Sequence, residues 1–101
     1  MEEKLKIIAD HYGYKEQQWK LVEEMAEVAK EINKFRKKNY NKNTNAYKKL
    51  VSELADLSVV LPQVIYLLEC EDKVARIRRE KAHRQLKRME NEHVRKEKGC
   101  D

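Results

Sequence analysis

Apolar residues recur at alternating steps of four and three between residues 15 and about 38, the period of a helix that packs along its length. The residues in this row are Leu21, Met25, Val28, Ile32 and Phe35. Only two glycines and one proline occur in 101 residues, whereas strong helix formers such as Glu, Lys, Leu and Ala are frequent. The sequence therefore predicts an all-α fold.

Helix-end and N-cap signals predict the structure on either side of this helix. Residues 2–13 fit a short first helix that ends at Gly13, since glycine is favoured just after a helix end. An Asn-rich turn is expected at residues 39–46, with Thr44 or Asn45 as the N-cap of the next helix.

The last two predicted helices differ in polarity. Residues 47–68 form a helix that is apolar on most sides after Asp56, which implies a central position in the assembly. Pro62 is expected to kink this helix without ending it, because the apolar period continues beyond the proline. A basic helix at about 72–95 follows, with a sparse apolar face formed by Val74, Ile77, Leu86 and Met89. The prediction is a bundle of about four helices.

The length of the chain favours one domain that associates with further copies. We expect a single domain over residues 1–101, with a frayed tail at about 96–101. A lone domain of this size buries a modest share of its surface. The third predicted helix is apolar on more sides than a single four-helix domain can cover. The expected partner is thus a second copy, in a homodimer or homotetramer.

Charge and cysteine content limit the class of protein. The N-terminus is charged and no apolar run approaches roughly 18 residues, so we expect a reduced cytoplasmic protein with no membrane partner. A disulfide between Cys70 and Cys100 has no supporting pattern. The formal charge of +5 lies mostly in residues 73–98, which favours a solvated helix over a nucleic-acid-binding surface.

Carboxylates line one edge of the second predicted helix. At 100° per residue, Glu24, Glu27 and Glu31 share a stripe with Lys20 beside the apolar row, whereas Glu23 points to the far side. On the third helix, Glu53 and Asp56 lie three apart and within one turn. Carboxylates that are buried without a cation cost several kcal/mol each. A cation is therefore expected between the helices.

The spacing of the acids alone does not decide whether this cation is a metal ion or a basic side chain. Two pairs of acids at i and i+3 on facing helices supply the oxygen ligands that Mg²⁺ or Mn²⁺ prefers. Alternatively, Glu24 and Glu27 are charges at the rim, and Glu53 and Asp56 favour the helix dipole while they pair with Lys or Arg of the last helix.

The motifs "EEMAE" at 23–27 and "ELAD" at 53–56 resemble the EExxE and ExxD motifs of the MazG-like all-α nucleoside triphosphate pyrophosphohydrolases. The similarity covers nearly the whole chain. It implies a MazG-like, oligomeric helical bundle that uses Mg²⁺, with Mn²⁺ as the alternative. It also implies hydrolysis of a (d)NTP to the (d)NMP and pyrophosphate. The ligands that carry over are Glu24, Glu27, Glu53 and Asp56, with Glu23 at the surface or behind them.

The resemblance also implies where the nucleoside triphosphate binds. Lys81 matches a lysine on the last long helix of related sequences, and a basic helix there would bind phosphate. Gln17 and Trp19 precede the first motif, near the base contacts of relatives. Further candidates for contacts with the substrate are Arg78, Arg84 and Gln85. Gln85 stands where many relatives have Asn, and Val60 where many have an aromatic residue, which leaves the base preference open.

Alternative functions stay open beside this one. Within the superfamily they are an all-α dUTPase-like enzyme and a phosphoribosyl-ATP pyrophosphohydrolase. From another class comes a non-catalytic helical module that binds a protein or a nucleic acid through its basic C-terminal helix. Such nucleic-acid binding would fall steeply with salt and need no metal.

Overall fold

The computed structural model describes residues 1–97, and within that range every regular element is a helix. The helices are α1 (Glu3–Lys37), α2 (Asn45–Leu67) and α3 (Glu71–Glu97). The all-α prediction is confirmed. Cys100 and the predicted tail beyond residue 97 lie outside the described residues. The chain divides into two compact units, Met1–Glu69 and Cys70–Asp101.

Helix α1 contains both the first and the second predicted helix. The backbone leaves the helical conformation at Gly13, which has φ 80° and ψ 171°, and helical geometry resumes directly after it. These angles are essentially restricted to glycine, because a Cβ atom clashes with the backbone there. The predicted helix end at Gly13 is therefore present, and α1 consists of two helices that meet at a kink there.

The turn between α1 and α2 lies where the Asn-rich segment predicted it. Asn39 and Tyr40 adopt left-handed φ angles of 56° and 58°, and asparagine tolerates this conformation better than most residues. Thr44 is the N-cap of α2, and its hydroxyl accepts a hydrogen bond from the backbone N–H of Tyr47 at 3.3 Å. The first of the two N-cap candidates is thus confirmed.

Helices α1 and α2 pack antiparallel, because contacts with later residues of α1 involve earlier residues of α2. Gln17 pairs with Gln63, whereas Glu31 lies near Lys49. The buried apolar residues are few: Ala9, Val28, Leu50, Val60 and Val64. Such a small core leaves room for polar pairs along the contact between the two helices.

The face of α1 that packs on α2 differs from the predicted apolar row. Val28 is buried as expected, but Met25 and Ile32 are 48% and 49% exposed. The buried positions include Glu24 and Glu31 instead. The face of α1 that contacts α2 is therefore closer to the acidic stripe than predicted, and Met25 and Ile32 lie outside that contact.

Helix α2 continues through Pro62 to Leu67, so the proline does not end the helix. Large apolar side chains on its other faces, including Val51, Leu54 and Leu61, are half-exposed. Judged only by length and composition, α2 is long enough and apolar enough to cross a membrane. This differs from the expectation that no apolar run approaches that length. One such helix is weak evidence of a membrane span, because the core helix of a soluble protein meets the same criterion.

Helix α3 forms the second unit and begins at Glu71. All of its described side chains, from Glu71 to Lys96, are exposed. They include the apolar residues Val74, Ile77, Leu86 and Met89 of its predicted face. Glu71 and Asp72 occupy its first turn, where acidic residues favour the helix dipole.

Candidate metal centre

Three of the four predicted ligands converge between α1 and α2. Carboxylate oxygens of Glu24, Glu53 and Asp56 all lie within 4.8 Å of one another. Glu24 comes from α1 and is buried, whereas on α2 Glu53 is half-buried and Asp56 is exposed. The group is thus anchored inside the helix contact and open to solvent at Asp56.

Glu27, the fourth predicted ligand, is half-buried and lies outside this group of three. Its negative charge still acts on the group. The pKa of Glu53 is raised above its ordinary value by burial first, then by the charges of Asp56, Glu24 and Glu27. A hydrogen bond with Glu24 contributes in the same direction. The arrangement concentrates negative charge that a cation would relieve.

Glu24 has one ion-pair partner, Lys20, within the described part of the chain. Lys20 Nζ lies 3.2 Å from Glu24 Oε1, one turn earlier on α1. A hydrogen bond with Glu24 and the negative charge of its carboxylate raise the pKa of Lys20. Glu24 Oε2 is buried and accepts no hydrogen bond from residues 1–97. The sequence predicted a metal, or a Lys or Arg of the last helix, as the cation at this position. It placed Lys20 on the same stripe as Glu24 but did not predict that the two would pair.

A cleft of about 480 Å³ opens beside Lys20. Gln17 and Trp19, both predicted to contact substrate, line it together with Tyr12 and Gln63. Trp19 is 66% exposed, so its indole face is available for stacking. Tyr12 and Gln63 were missed by the sequence analysis, although a glutamine within an apolar helix is itself an unusual signal.

The amide groups of Gln17 and Gln63 have a fixed orientation. Gln63 Nε2 donates to the backbone carbonyl of Val59 at 2.9 Å, and a carbonyl can only accept. Gln63 Oε1 therefore points away from Val59 and accepts from Gln17 Nε2 at 2.8 Å. This leaves the carbonyl oxygen of Gln17 as an acceptor at the wall of the cleft.

Glu31 is a second buried carboxylate on the acidic stripe, and its side chain is 0% exposed. Lys34 Nζ lies 3.3 Å and Lys49 Nζ 4.0 Å from Glu31 Oε1. Neither oxygen of Glu31 accepts a hydrogen bond from the described residues. The sequence analysis placed Glu31 on the stripe but gave it no role.

The remaining predicted substrate contacts lie on α3, in the second unit. Arg78, Lys81 and Gln85 line a shallow groove together with Val74 and Ile77. Arg84 shares a neighbouring depression with Lys81 and Gln85. The four polar candidates are thus close together on one helix, and their role at the carboxylates stays a prediction.

Comparison with known proteins gives no assignment. No protein-family model matches the chain, and no curated protein or solved structure is significantly similar to it.

Proposed function

We propose that this protein is a Mg²⁺-dependent nucleoside triphosphate pyrophosphohydrolase of the MazG-like kind. The observation that carries the proposal is the buried carboxylate of Glu24, which has an unpartnered oxygen beside Glu53 and Asp56. A buried acceptor without a donor is costly. A divalent cation held by the three carboxylates would remove that cost.

The donor set suits a hard cation. All three groups offer carboxylate oxygens, and the exposed position of Asp56 leaves space for water and phosphate oxygens. Bound Mg²⁺ would neutralise the charge that develops on the triphosphate, with Mn²⁺ as the alternative ion. Glu27 lies near enough to Glu53 to raise its pKa, and we assign it to the same site as a further ligand or an acceptor of the water proton.

The proposed reaction is attack of water on the α-phosphorus. The bond from that phosphorus to the oxygen bridging it to the β-phosphorus breaks, and pyrophosphate leaves with this oxygen. One proton of the water passes to a carboxylate and then to solvent. Phosphoryl-type transfer depends on charge neutralisation and positioning, which are tasks suited to carboxylates and a cation.

The cleft beside Lys20 is the proposed binding site of the nucleoside. Trp19 and Tyr12 offer aromatic faces for stacking, and Gln17 offers a hydrogen-bond acceptor. The resemblance supports Lys81, with Arg78 and Arg84, as contacts to phosphate and Gln85 as a residue that bears on base preference; all four lie on α3.

The proposed assembly is a homodimer or a homotetramer. Half-exposed apolar residues occur on both helices of the first unit: Val22, Met25 and Ile32 on α1, and Val51, Leu54, Val59 and Leu61 on α2. Exposed apolar residues in such numbers mark association surfaces. A monomer at micromolar concentration, measured by light scattering, would contradict this part of the proposal.

The experiment that tests the function is pyrophosphate release from a panel of ribo- and deoxyribonucleoside triphosphates, with and without Mg²⁺. The proposal expects release that requires Mg²⁺ and yields the monophosphate in equal amount. Absence of release from every nucleotide in Mg²⁺ and in Mn²⁺ would contradict it.

One observation favours a second function. Helix α3 carries ten Lys and Arg against six Asp and Glu, and all of its described side chains are exposed. A non-catalytic module that binds nucleic acid through α3 would bind without Mg²⁺ and lose affinity steeply with salt. Salt titration of binding to a labelled duplex, beside the pyrophosphate assay, separates the two functions.

A further inference from the structure

Glu31, Lys34 and Lys49 form a charged group at the end of the helix contact opposite the cleft. We propose that Lys49, held by Glu31 and assisted by Lys34, binds the terminal phosphate of the nucleoside triphosphate. This inference rests on the proposed function and adds the direction in which the substrate lies.

The balance of charge is the first step. One carboxylate, Glu31, has two ammonium groups near a single oxygen, at 3.3 Å and 4.0 Å. The group therefore carries one positive charge more than neutralisation of Glu31 requires. The side chains of Lys34 and Lys49 are 49% and 55% exposed, so both can meet a solvated anion. Lysine binds phosphate as a point charge.

The second step is position. Lys49 precedes Glu53 by four residues on α2, so the two lie on one face about 6 Å apart along the axis. On α1, Gln17 at the cleft precedes Glu24 by two turns, and Glu31 follows Glu24 by two turns. The carboxylate group thus lies between the cleft and the lysines. A nucleoside in the cleft and the reacting phosphate at the carboxylates would direct the terminal phosphate toward Lys49.

Glu31 is assigned as a positioning residue. Its carboxylate is buried and lacks hydrogen-bond donors in the described structure, so the two lysines are its nearest source of compensation. Attraction to Glu31 restricts the long side chain of Lys49, and a restricted lysine loses less conformational entropy when phosphate binds. Glu31 would therefore act on substrate only through Lys49.

The test uses the two products as probes, because pyrophosphate contains the terminal phosphate and the nucleoside monophosphate does not. Inhibition constants for each product and KM for the triphosphate are compared in wild type, Lys49→Gln and Lys48→Gln. Lys48 is an exposed neighbour on the same helix and serves as the matched control. We expect Lys49→Gln to raise KM and the pyrophosphate inhibition constant by about tenfold, the loss of one charge-assisted contact. Monophosphate inhibition should stay within about twofold.

Other outcomes separate the failures. Equal effects of Lys49→Gln and Lys48→Gln in an active enzyme overturn this inference alone. Equal weakening of both products also overturns it, since Lys49 would then act through the fold. A wild type that releases no pyrophosphate overturns the proposed function together with this inference.

A double variant tests the role of Glu31. If Glu31 acts through Lys49, Glu31→Gln combined with Lys49→Gln raises KM no further than Lys49→Gln alone. Additive increases would overturn the positioning role. Melting curves of each variant exclude loss of fold as the cause.

Discussion

Lys20 Nζ lies 3.2 Å from Glu24 Oε1, while the second oxygen of the same buried carboxylate has no hydrogen-bond partner in the described structure. The lysine thus compensates Glu24 only in part. It also approaches from solvent, since its side chain is half-exposed. A cation that serves Glu24, Glu53 and Asp56 together would compensate all three more completely.

Removal of this lysine gives the first prediction. Lys20→Met should destabilise the metal-free protein by up to about 1 kcal/mol, a small value because the lysine is solvated. Mg²⁺ should then stabilise the variant more than it stabilises the wild type, since no ammonium group competes for Glu24. Melting curves with EDTA and with Mg²⁺ measure both effects. Lys30→Met, an exposed change on the same helix, is the control, and identical behaviour of the two variants would contradict the prediction.

The buried amide pair gives the second prediction. Gln63→Leu leaves Gln17 Nε2 without its acceptor and should cost about 1–3 kcal/mol of unfolding free energy. The double change to leucine at Gln17 and Gln63 should recover part of that loss, because no donor is then left unpaired. Urea unfolding of both single variants and the double variant supplies the coupling energy. Simple additivity would mean that the pair is not coupled.

The raised pKa of Glu53 gives a prediction about pH in the metal-free protein. Above the folded-state pKa, ionised Glu53 destabilises the fold, so Glu53→Gln should melt at a higher temperature than wild type. As pH falls from that pKa toward the ordinary value of 4.5, folded wild type binds its proton first and gains stability. The difference in melting temperature between variant and wild type should therefore narrow. A difference that is constant or widens as pH falls would contradict the shift.

The kink of α1 gives a prediction about backbone strain. A Cβ added at Gly13 would meet no described atom within 4 Å apart from the adjoining residues and the nearby backbone of its own helix, so the strain is local to the backbone. Its φ of 80° with ψ of 171° is nevertheless unfavourable for any L-residue, so Gly13→Ala should cost about 1–3 kcal/mol. Gly13→Asn should cost as much, because asparagine tolerates the left-handed helical region and not this extended one. Chemical denaturation measures both, and a stable Gly13→Asn variant would contradict the account.

Much of the fold could be predicted from local signals. The scarcity of glycine and proline indicated helices, and Gly13 marked the kink because few other positions interrupt the helical pattern. Thr44 was found because N-caps have a strong residue preference. These features depend on residues close together in the chain.

The polar contacts between the helices could not be predicted in the same way. Periodicity placed Met25 and Ile32 on the packed face, whereas the structure buries Glu24 and Glu31. Which row faces α2 depends on the register between the helices, and that register aligns Gln17 with Gln63 and Glu31 with Lys49. Hydrophobicity along one helix carries no information about such partners. The convergence of Glu24, Glu53 and Asp56 was predicted from helical spacing, which placed acids on one stripe of each helix, but spacing left open whether a metal or a lysine lies between them.

Loss of activity with retention of the fold is expected when a proposed ligand is neutralised. Glu53→Gln and Asp56→Asn should each abolish Mg²⁺-dependent hydrolysis, and their metal-free melting temperatures should equal or exceed that of wild type because each removes a like charge. Glu23→Gln should have a far milder effect on kcat, since Glu23 is exposed and lies outside the group of three; Glu23 lines the cleft beside Lys20, so any effect should fall on KM. Equal inactivity of Glu23→Gln and Asp56→Asn, measured as steady-state rates, would show that the ligands within residues 23–27 are assigned wrongly.

The melting shift that Mg²⁺ produces measures most directly whether Glu24, Glu53 and Asp56 bind a divalent cation. Because a ligand that binds only the folded state raises its stability, the wild type and Glu23→Gln should both melt higher in Mg²⁺ than in EDTA. Asp56→Asn, a change at an exposed position, should keep the fold and lose most of that shift. An equal shift in wild type and Asp56→Asn would contradict the metal site and leave pairing with lysine as the role of these carboxylates.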